Sequence, residues 1–138
     1  MRILIDINIL LAIVPKRSSE RWLYEMLRND TLVLILSNEI IEEYEEILAW
    51  FYSKYFAEIV LDELLNLPLT EQTEAFYKWQ LIEEDKDDNK FVDVAIALNA
   101  DYIITNDKHF KILHNIPFPK VQAITIQEFK KVIENINT

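Results

Sequence analysis

Residues 87–107 read "DDNKFVDVAIALNADYIITND". Phe91, Val94, Ala95 and Leu98 recur at three- and four-residue spacing, the period of a helix with one apolar face. "YIIT" then switches to a continuous apolar run, as a parallel strand covered on both faces reads. That run ends on Asp107, with Asn106 beside it. The start of the chain repeats the ending: "ILIDIN" (3–8) carries Ile3, Leu4 and Ile5 into Asp6, followed by Asn8. Two more runs, "LVLIL" (32–36) and "VQAIT" (121–125), have the same character.

Strands are therefore expected near 2–6, 32–36, 101–105 and 121–125. Helical patterns occupy 8–13, 19–29, 38–52, 55–66, 88–99, 107–113 and 126–136. Ser19, Asn38, Asp88 and Thr125 are the expected N-caps. Asn29, Asn66 and Asn99 stand at helix ends where glycine is usual. Short apolar runs alternating with helices predict an α/β fold, built from βα units with a parallel sheet and right-handed crossovers. The prolines of "VPKRSSER" (14–21) and "NIPFPK" (115–120) mark loops. The segment 67–87 has no clear period; it holds "LPL", an aromatic-rich stretch and "EEDKDD".

The 138 residues suit one domain over 1–138. Hydrophobic residues make up 51% and charged residues 28%, a globular composition. No apolar run approaches the roughly 18 residues that span a bilayer. The apolar start carries Asp6 and lacks a small-residue cleavage site, which argues against a signal peptide. There are no cysteines, which removes disulfides, thiolate metal sites and a Cys nucleophile, and fits a cytoplasmic location. Glycine is also absent, where average usage would supply about ten. Dinucleotide-binding, Walker A and nucleophile-elbow motifs all need glycine and are excluded. The net charge of −10 argues against a protein that holds nucleic acid by counterion release alone. It is compatible with a magnesium enzyme, whose site gathers carboxylates.

In open parallel sheets, ligands bind beyond the carboxyl ends of the strands. Asp6 and Asp107 both stand at such an end, so they can converge across a hundred residues of chain. The plainer alternative is that each caps the helix that follows. Asp88 opens the 88–99 helix one turn before Phe91, on the side facing the sheet. Asp93 is off that stripe, as a solvated or supporting residue would be. In "NEIIEEYEEILAWFY", Glu43 and Glu45 flank the apolar stripe on opposite sides, and periodicity does not choose between them. Four carboxylates gathered at one edge would repel, and without a cation one would be driven toward protonation. Mg²⁺ or Mn²⁺ resolves this with oxygen ligands. Such a site supports phosphodiester hydrolysis, one ion activating water and a second, about 4 Å away, stabilising the leaving oxygen.

"ILIDINILL" (3–11), "LSNEIIEEYEEIL" (36–48) and "DDNKFVDVAIALNADYIITNDKHF" (87–110), in that order, resemble the PIN-domain ribonuclease family. The last stretch resembles its VapC-like toxins of prokaryotic toxin–antitoxin systems. The resemblance implies a three-layer α/β/α sandwich, a mostly parallel sheet and four acidic residues around Mg²⁺ or Mn²⁺. The family's first aspartate falls on Asp6 and the polar position after it on Asn8. Its glutamate lies six residues after the serine that ends the second strand, Ser37, and so falls on Glu43. The third and fourth acids fall on Asp88 and Asp107, and Asp93 stays open as a further ligand. Ile7 replaces a common threonine, and "LNAD" replaces a small turn before the last acid's strand.

The expected protein is a metal-dependent endoribonuclease, the toxin of a toxin–antitoxin pair, with RNA as substrate and an antitoxin or a second copy as partner. Asp6, Asp88, Asp107 and Glu43 are the expected catalytic and metal-binding residues, with Asn8 and Thr105 orienting them. Lys16, Arg17, Lys90, Lys108 and His109 are candidate phosphate contacts, set against a plain solvated surface. His109 and His114 are not expected as ligands in an all-oxygen site. A non-catalytic interaction domain is the main alternative, with the aromatics of 50–56 and 76–79 as its surface. A haloacid-dehalogenase-type phosphatase wants Asp-x-Asp where this chain has Asp6-Ile7-Asn8. A receiver domain wants paired acids near the first strand, and Asp6 has none adjacent.

Overall fold

The computed structural model describes residues 1–29, 31–74, 77–83 and 86–137, with Lys86 through its backbone only. Phe76 of the aromatic stretch and Glu84 and Asp85 of the acidic run lie outside the described residues.

The chain runs β1 (Arg2–Ile5), α1 (Ile7–Ile13), α2 (Arg21–Arg28), β2 (Val33–Leu36), α3 (Asn38–Phe51), α4 (Lys54–Leu65) and β3 (Thr70–Gln72). It continues through a 3₁₀ turn (Lys86–Asp88), α5 (Asn89–Ala97), β4 (Tyr102–Ile104), a 3₁₀ helix (Lys108–Asn115), β5 (Ala123–Ile124) and α6 (Ile126–Ile136). The described strands form one five-stranded sheet in the order β3-β2-β1-β4-β5, and every pairing is parallel. Helices flank the sheet, giving the expected α/β/α sandwich. Ile3, Leu4, Ile5, Leu34, Ile35, Leu36, Ile103 and Ile104 are all buried, so these strands are covered on both faces, as their continuous apolar runs require. Among the described residues no helix is long and apolar enough to cross a membrane.

The strand order places the site. From β1 the chain winds outward to β2 and β3, then returns to β4 on the other side of β1 and ends on β5. The order reverses between β1 and β4. In open α/β sheets the crevice beyond the strand ends at that reversal is the usual ligand position. Asp6 and Thr105 are the residues that immediately follow β1 and β4.

Local chemistry sets the helix starts. Ser37, rather than Asn38, caps α3: its hydroxyl accepts the Ile40 N–H at 3.2 Å. Thr125 caps α6 with a reciprocal bond from Glu128, a full capping box. α2 begins at Arg21 after Glu20, not after Ser19, and Glu20 makes no side-chain cap. Asn99 sits at φ 52°, the left-handed turn that glycine would otherwise fill. Asn29 and Asn66 end their helices at negative φ, so they need no such freedom.

Three further features differ from expectation. β3 was not expected. "TEQ" is three polar residues on an edge, paired through its backbone to Leu34, Ile35 and Leu36, so it carries no apolar run to read. The helix expected at 107–113 is a 3₁₀ helix over Lys108–Asn115. α5 is buried almost all round its first two turns, at Asn89, Phe91, Val92, Asp93, Val94 and Ala95. Segment 77–83 covers the face that periodicity assigned to solvent, with the Trp79 N–H on Asp93 and Ile82 on Asn89.

Candidate metal centre

The site is built on the ends of β1 and β4. The Asp6 N–H donates to the Ile104 carbonyl at 3.1 Å, which locks the two strand ends together. The Asp6 side chain turns inward and is 4% exposed. Its Oδ2 accepts the Thr105 hydroxyl at 2.7 Å, and its Oδ1 accepts the Asn8 N–H at 3.3 Å. The Thr105 hydroxyl in turn accepts the Asp107 N–H at 3.0 Å. One threonine thus fixes both aspartates relative to each other. Asn8 acts through its backbone; its side chain is exposed.

Asp107 follows β4 and caps the 3₁₀ helix, its Oδ1 accepting the His109 N–H at 2.9 Å. Asp6 caps α1 in the same way. The capping and site alternatives therefore coincide: each aspartate holds a helix start with one oxygen, and both stand at the ends of neighbouring strands. Capping His109 brings its ring inward. His109 Nδ1 lies 3.2 Å from Asp107 Oδ1 and 3.9 Å from Asp88 Oδ2. Asp88, at the start of α5, makes no side-chain cap to its own helix. Asp88, Asp107 and His109 each offer one ligand atom, and the three atoms lie within 4.8 Å of one another.

Glu43 reaches the same region from α3. Tyr44 anchors that helix by donating its hydroxyl to the Ile5 carbonyl, one residue before Asp6. Glu43 Oε2 lies 3.0 Å from Lys90 Nζ. Glu45 is exposed on the other flank, beside Lys54 and Glu58. Burial pushes the Asp6 carboxyl above the ordinary range, against the Thr105 and Asn8 hydrogen bonds, and the charge of Asp107 adds to the rise. Burial also raises Glu43, against the bond and charge of Lys90, with Asp6 and Asp87 pushing the same way as burial. Acidic groups crowded in this manner fit a divalent cation.

The remaining candidates separate. Asp93 is 6% exposed rather than solvated. Its Oδ1 accepts the Trp79 N–H at 3.0 Å, so one oxygen is taken up in fastening segment 77–83. Lys90 is not a solvated surface lysine either; it is held between Glu43 and the Asp87 carbonyl, the latter at 2.9 Å. Lys16 and Arg17 are exposed on the turn beyond α1. Lys108 is exposed and, with His109 and Lys111, lines a groove of about 600 Å³. His114 is held away by the Ala123 carbonyl at 3.0 Å. His109 is the residue that the all-oxygen expectation left out. The sequence signal was its place two residues after a capping aspartate, where its own N–H must meet that carboxylate.

The fold has solved counterparts. One is in the crystal structure of VapBC2 from Rickettsia felis bound to a DNA fragment from their promoter, at 21% identity and a TM-score of 0.63, covering 91% of this chain and 98% of that one. Another is the structure of the PIN domain endonuclease Utp24, at 14% identity and a TM-score of 0.54, covering 90% of this chain and 84% of that one. No curated protein sequence matches this chain. The PIN domain family model matches residues 2–109, which hold the strand ends, the acidic residues and His109, and the chain belongs to the PIN-domain family.

Proposed function

We propose that the chain is a metal-dependent endoribonuclease, and that it serves in the cytoplasm as the toxin of a toxin–antitoxin pair. The observation that carries this is the meeting of Asp88, Asp107 and His109 ligand atoms within 4.8 Å, at the reversal of strand order, beside the buried Asp6. Bound Mg²⁺ or Mn²⁺ supplies a water of lowered pKa and charge neutralisation at a phosphate. Asp88, Asp107 and His109 would hold the ion, with Asp6 fixed behind them by Thr105. Thr105 keeps Asp6 and Asp107 in one geometry, so little reorganisation is needed when the ion enters. The groove with Lys108 and Lys111 opens at His109 and is a route for an RNA strand in a chain otherwise strongly acidic. Likeness of fold to a VapBC2 complex and to a PIN domain endonuclease supports the same reading.

The test is cleavage of a labelled single-stranded RNA with Mn²⁺, with chelator, and by the Asp6→Asn and Asp107→Asn variants. Cleavage by the wild type alone, abolished by chelator, is the expected outcome. Equal cleavage by wild type and Asp6→Asn would sink the assignment.

A partner surface has its own observation. Trp50 and Tyr55, at the tip where α3 turns into α4, are 81% and 74% exposed. Glu42, Glu45, Glu46 and Glu58, with the single cation Lys54, line the groove between these helices. Exposed aromatics among carboxylates suit a basic, apolar segment of an antitoxin better than a polyanion. A second copy of this chain would set like charges against each other there. Co-purification with the product of a neighbouring small gene, lost in Trp50→Glu, is the expected result. A chain that binds such a partner but never cuts RNA would be the non-catalytic interaction domain.

A further inference from the structure

Lys90 occupies the first turn of α5, the end of a helix where the dipole disfavours a cation. Its position there therefore needs a local cause, and the cause is visible. The ammonium lies 3.0 Å from Glu43 Oε2 on α3 and donates to the Asp87 carbonyl at 2.9 Å. It also lies 5.6 Å from the centre of the Phe91 ring. The side chain is 16% exposed, so the charge is placed and not wandering in solvent. Of the expected ligands, Asp6 and Glu43 stand outside the group formed by Asp88, Asp107 and His109, and Asp6 is held there by Thr105 and Asn8. The Glu43 carboxylate already has a cation.

We propose that Lys90 is the second cation of the site. Its ammonium stands in for a second divalent ion, Glu43 serves to position that ammonium, and the centre takes one metal ion. This rests on the nuclease reading and deepens it. An ammonium has three N–H donors. Among the described contacts the Asp87 carbonyl accepts from one, Glu43 pairs with the charge, and a further N–H is available to a phosphate oxygen of the RNA. Lys90 then supplies, from the chain itself, the positive charge that two-metal nucleases draw from their second ion. Glu43 is thereby a positioning residue rather than a ligand.

The experiment counts Mn²⁺ bound to the metal-stripped protein by the loss of the free-ion electron paramagnetic resonance signal. The wild type is expected to take one ion. Lys90→Gln frees Glu43 and is expected to take two, while Lys90→Arg stays at one. Glu43→Gln is expected to keep the wild-type Mn²⁺ affinity within about twofold, whereas loss of a true ligand or its support costs about tenfold or more. With a single Mn²⁺ bound per chain, Lys90→Gln should lose about tenfold or more in kcat, with partial rescue by Lys90→Arg. Two ions on the wild type, a tenfold loss of affinity in Glu43→Gln, or an unchanged kcat in Lys90→Gln would each overturn the proposal. The wild-type count decides even if Lys90→Gln does not fold. A wild type that binds one ion and cuts no RNA overturns the nuclease reading instead.

Discussion

At the scale of single residues, the hydroxyl of Thr105 has the most connected position in the site. It donates to Asp6 and accepts from the Asp107 N–H, so it ties a buried carboxylate to the backbone of the next aspartate. Thr105→Val keeps the shape and removes both bonds. Groups that orient metal ligands are worth about 10- to 100-fold in metal affinity. A fall of about tenfold in Mn²⁺ affinity is expected, with about 1–2 kcal/mol lost from folding in urea titrations. Unchanged Mn²⁺ affinity would show that Asp6 needs no such support. Asp93 gives a prediction of opposite sign. Burial holds its carboxyl above the ordinary value, against the Trp79 N–H and the charge of Lys78, with Glu39 adding to the rise. The folded chain therefore binds this proton more tightly than the unfolded chain. Its contribution to stability is complete below about pH 4, the unfolded value, and is lost as pH rises through the higher folded value. Asp93→Asn keeps an oxygen for the Trp79 N–H and carries no charge. Wild type is thus expected to lose stability relative to Asp93→Asn as pH rises from about 4 toward neutral. Parallel stability curves for the two proteins would contradict it.

At the scale of elements, α5 and the segment across it depend on one buried amide. The Asn89 side chain accepts the Ile82 N–H at 2.9 Å and donates to the Ile82 carbonyl at 2.8 Å. Asn89→Leu fills similar volume but leaves both backbone groups unpaired, at about 1–3 kcal/mol each. A loss of about 2–4 kcal/mol is expected in urea unfolding, with faster amide exchange at Trp79 and Ile82 than elsewhere. A loss spread evenly over the sheet would argue that segment 77–83 is not fastened at this point. The same region marks where sequence stopped being informative. β1, β2 and β4 were legible because a strand buried on both faces must be apolar throughout. Asp6 and Asp107 were legible because each ends such a run. β3 was not legible, because an edge strand that pairs through its backbone needs no apolar side chains. Asp93 was misplaced because helical periodicity assumes one covered face, and here a chain segment without regular structure covers the other. Lys90 looked like surface because a charge signals its partner only once α3 and α5 are packed together.

At the scale of the molecule, the charge of −10 and the crowded crevice make one connected prediction. Like charges on a compact chain oppose folding, and salt screens them over a Debye length of about 8–10 Å at physiological strength. Sodium chloride should therefore raise the melting temperature of metal-free protein gradually. Mn²⁺ should do more at the same ionic strength, because it binds the folded crevice and not the unfolded chain. Saturation at a hundredfold over Kd adds about 2.7 kcal/mol by mass action alone. That is close to the worth of a buried hydrogen-bonded pair, so it is easily separated from general screening. Asp107→Asn removes a proposed ligand and the charge that adds to the rise of Asp6. This variant is expected to be more stable than wild type without metal and to gain from Mn²⁺ no more than it gains from sodium chloride. The crossing of the two orders, variant above wild type without metal and below it with Mn²⁺, is the outcome to look for in paired melting curves. A wild type that responds to Mn²⁺ and to sodium chloride alike would mean that the carboxylates repel one another without forming a centre.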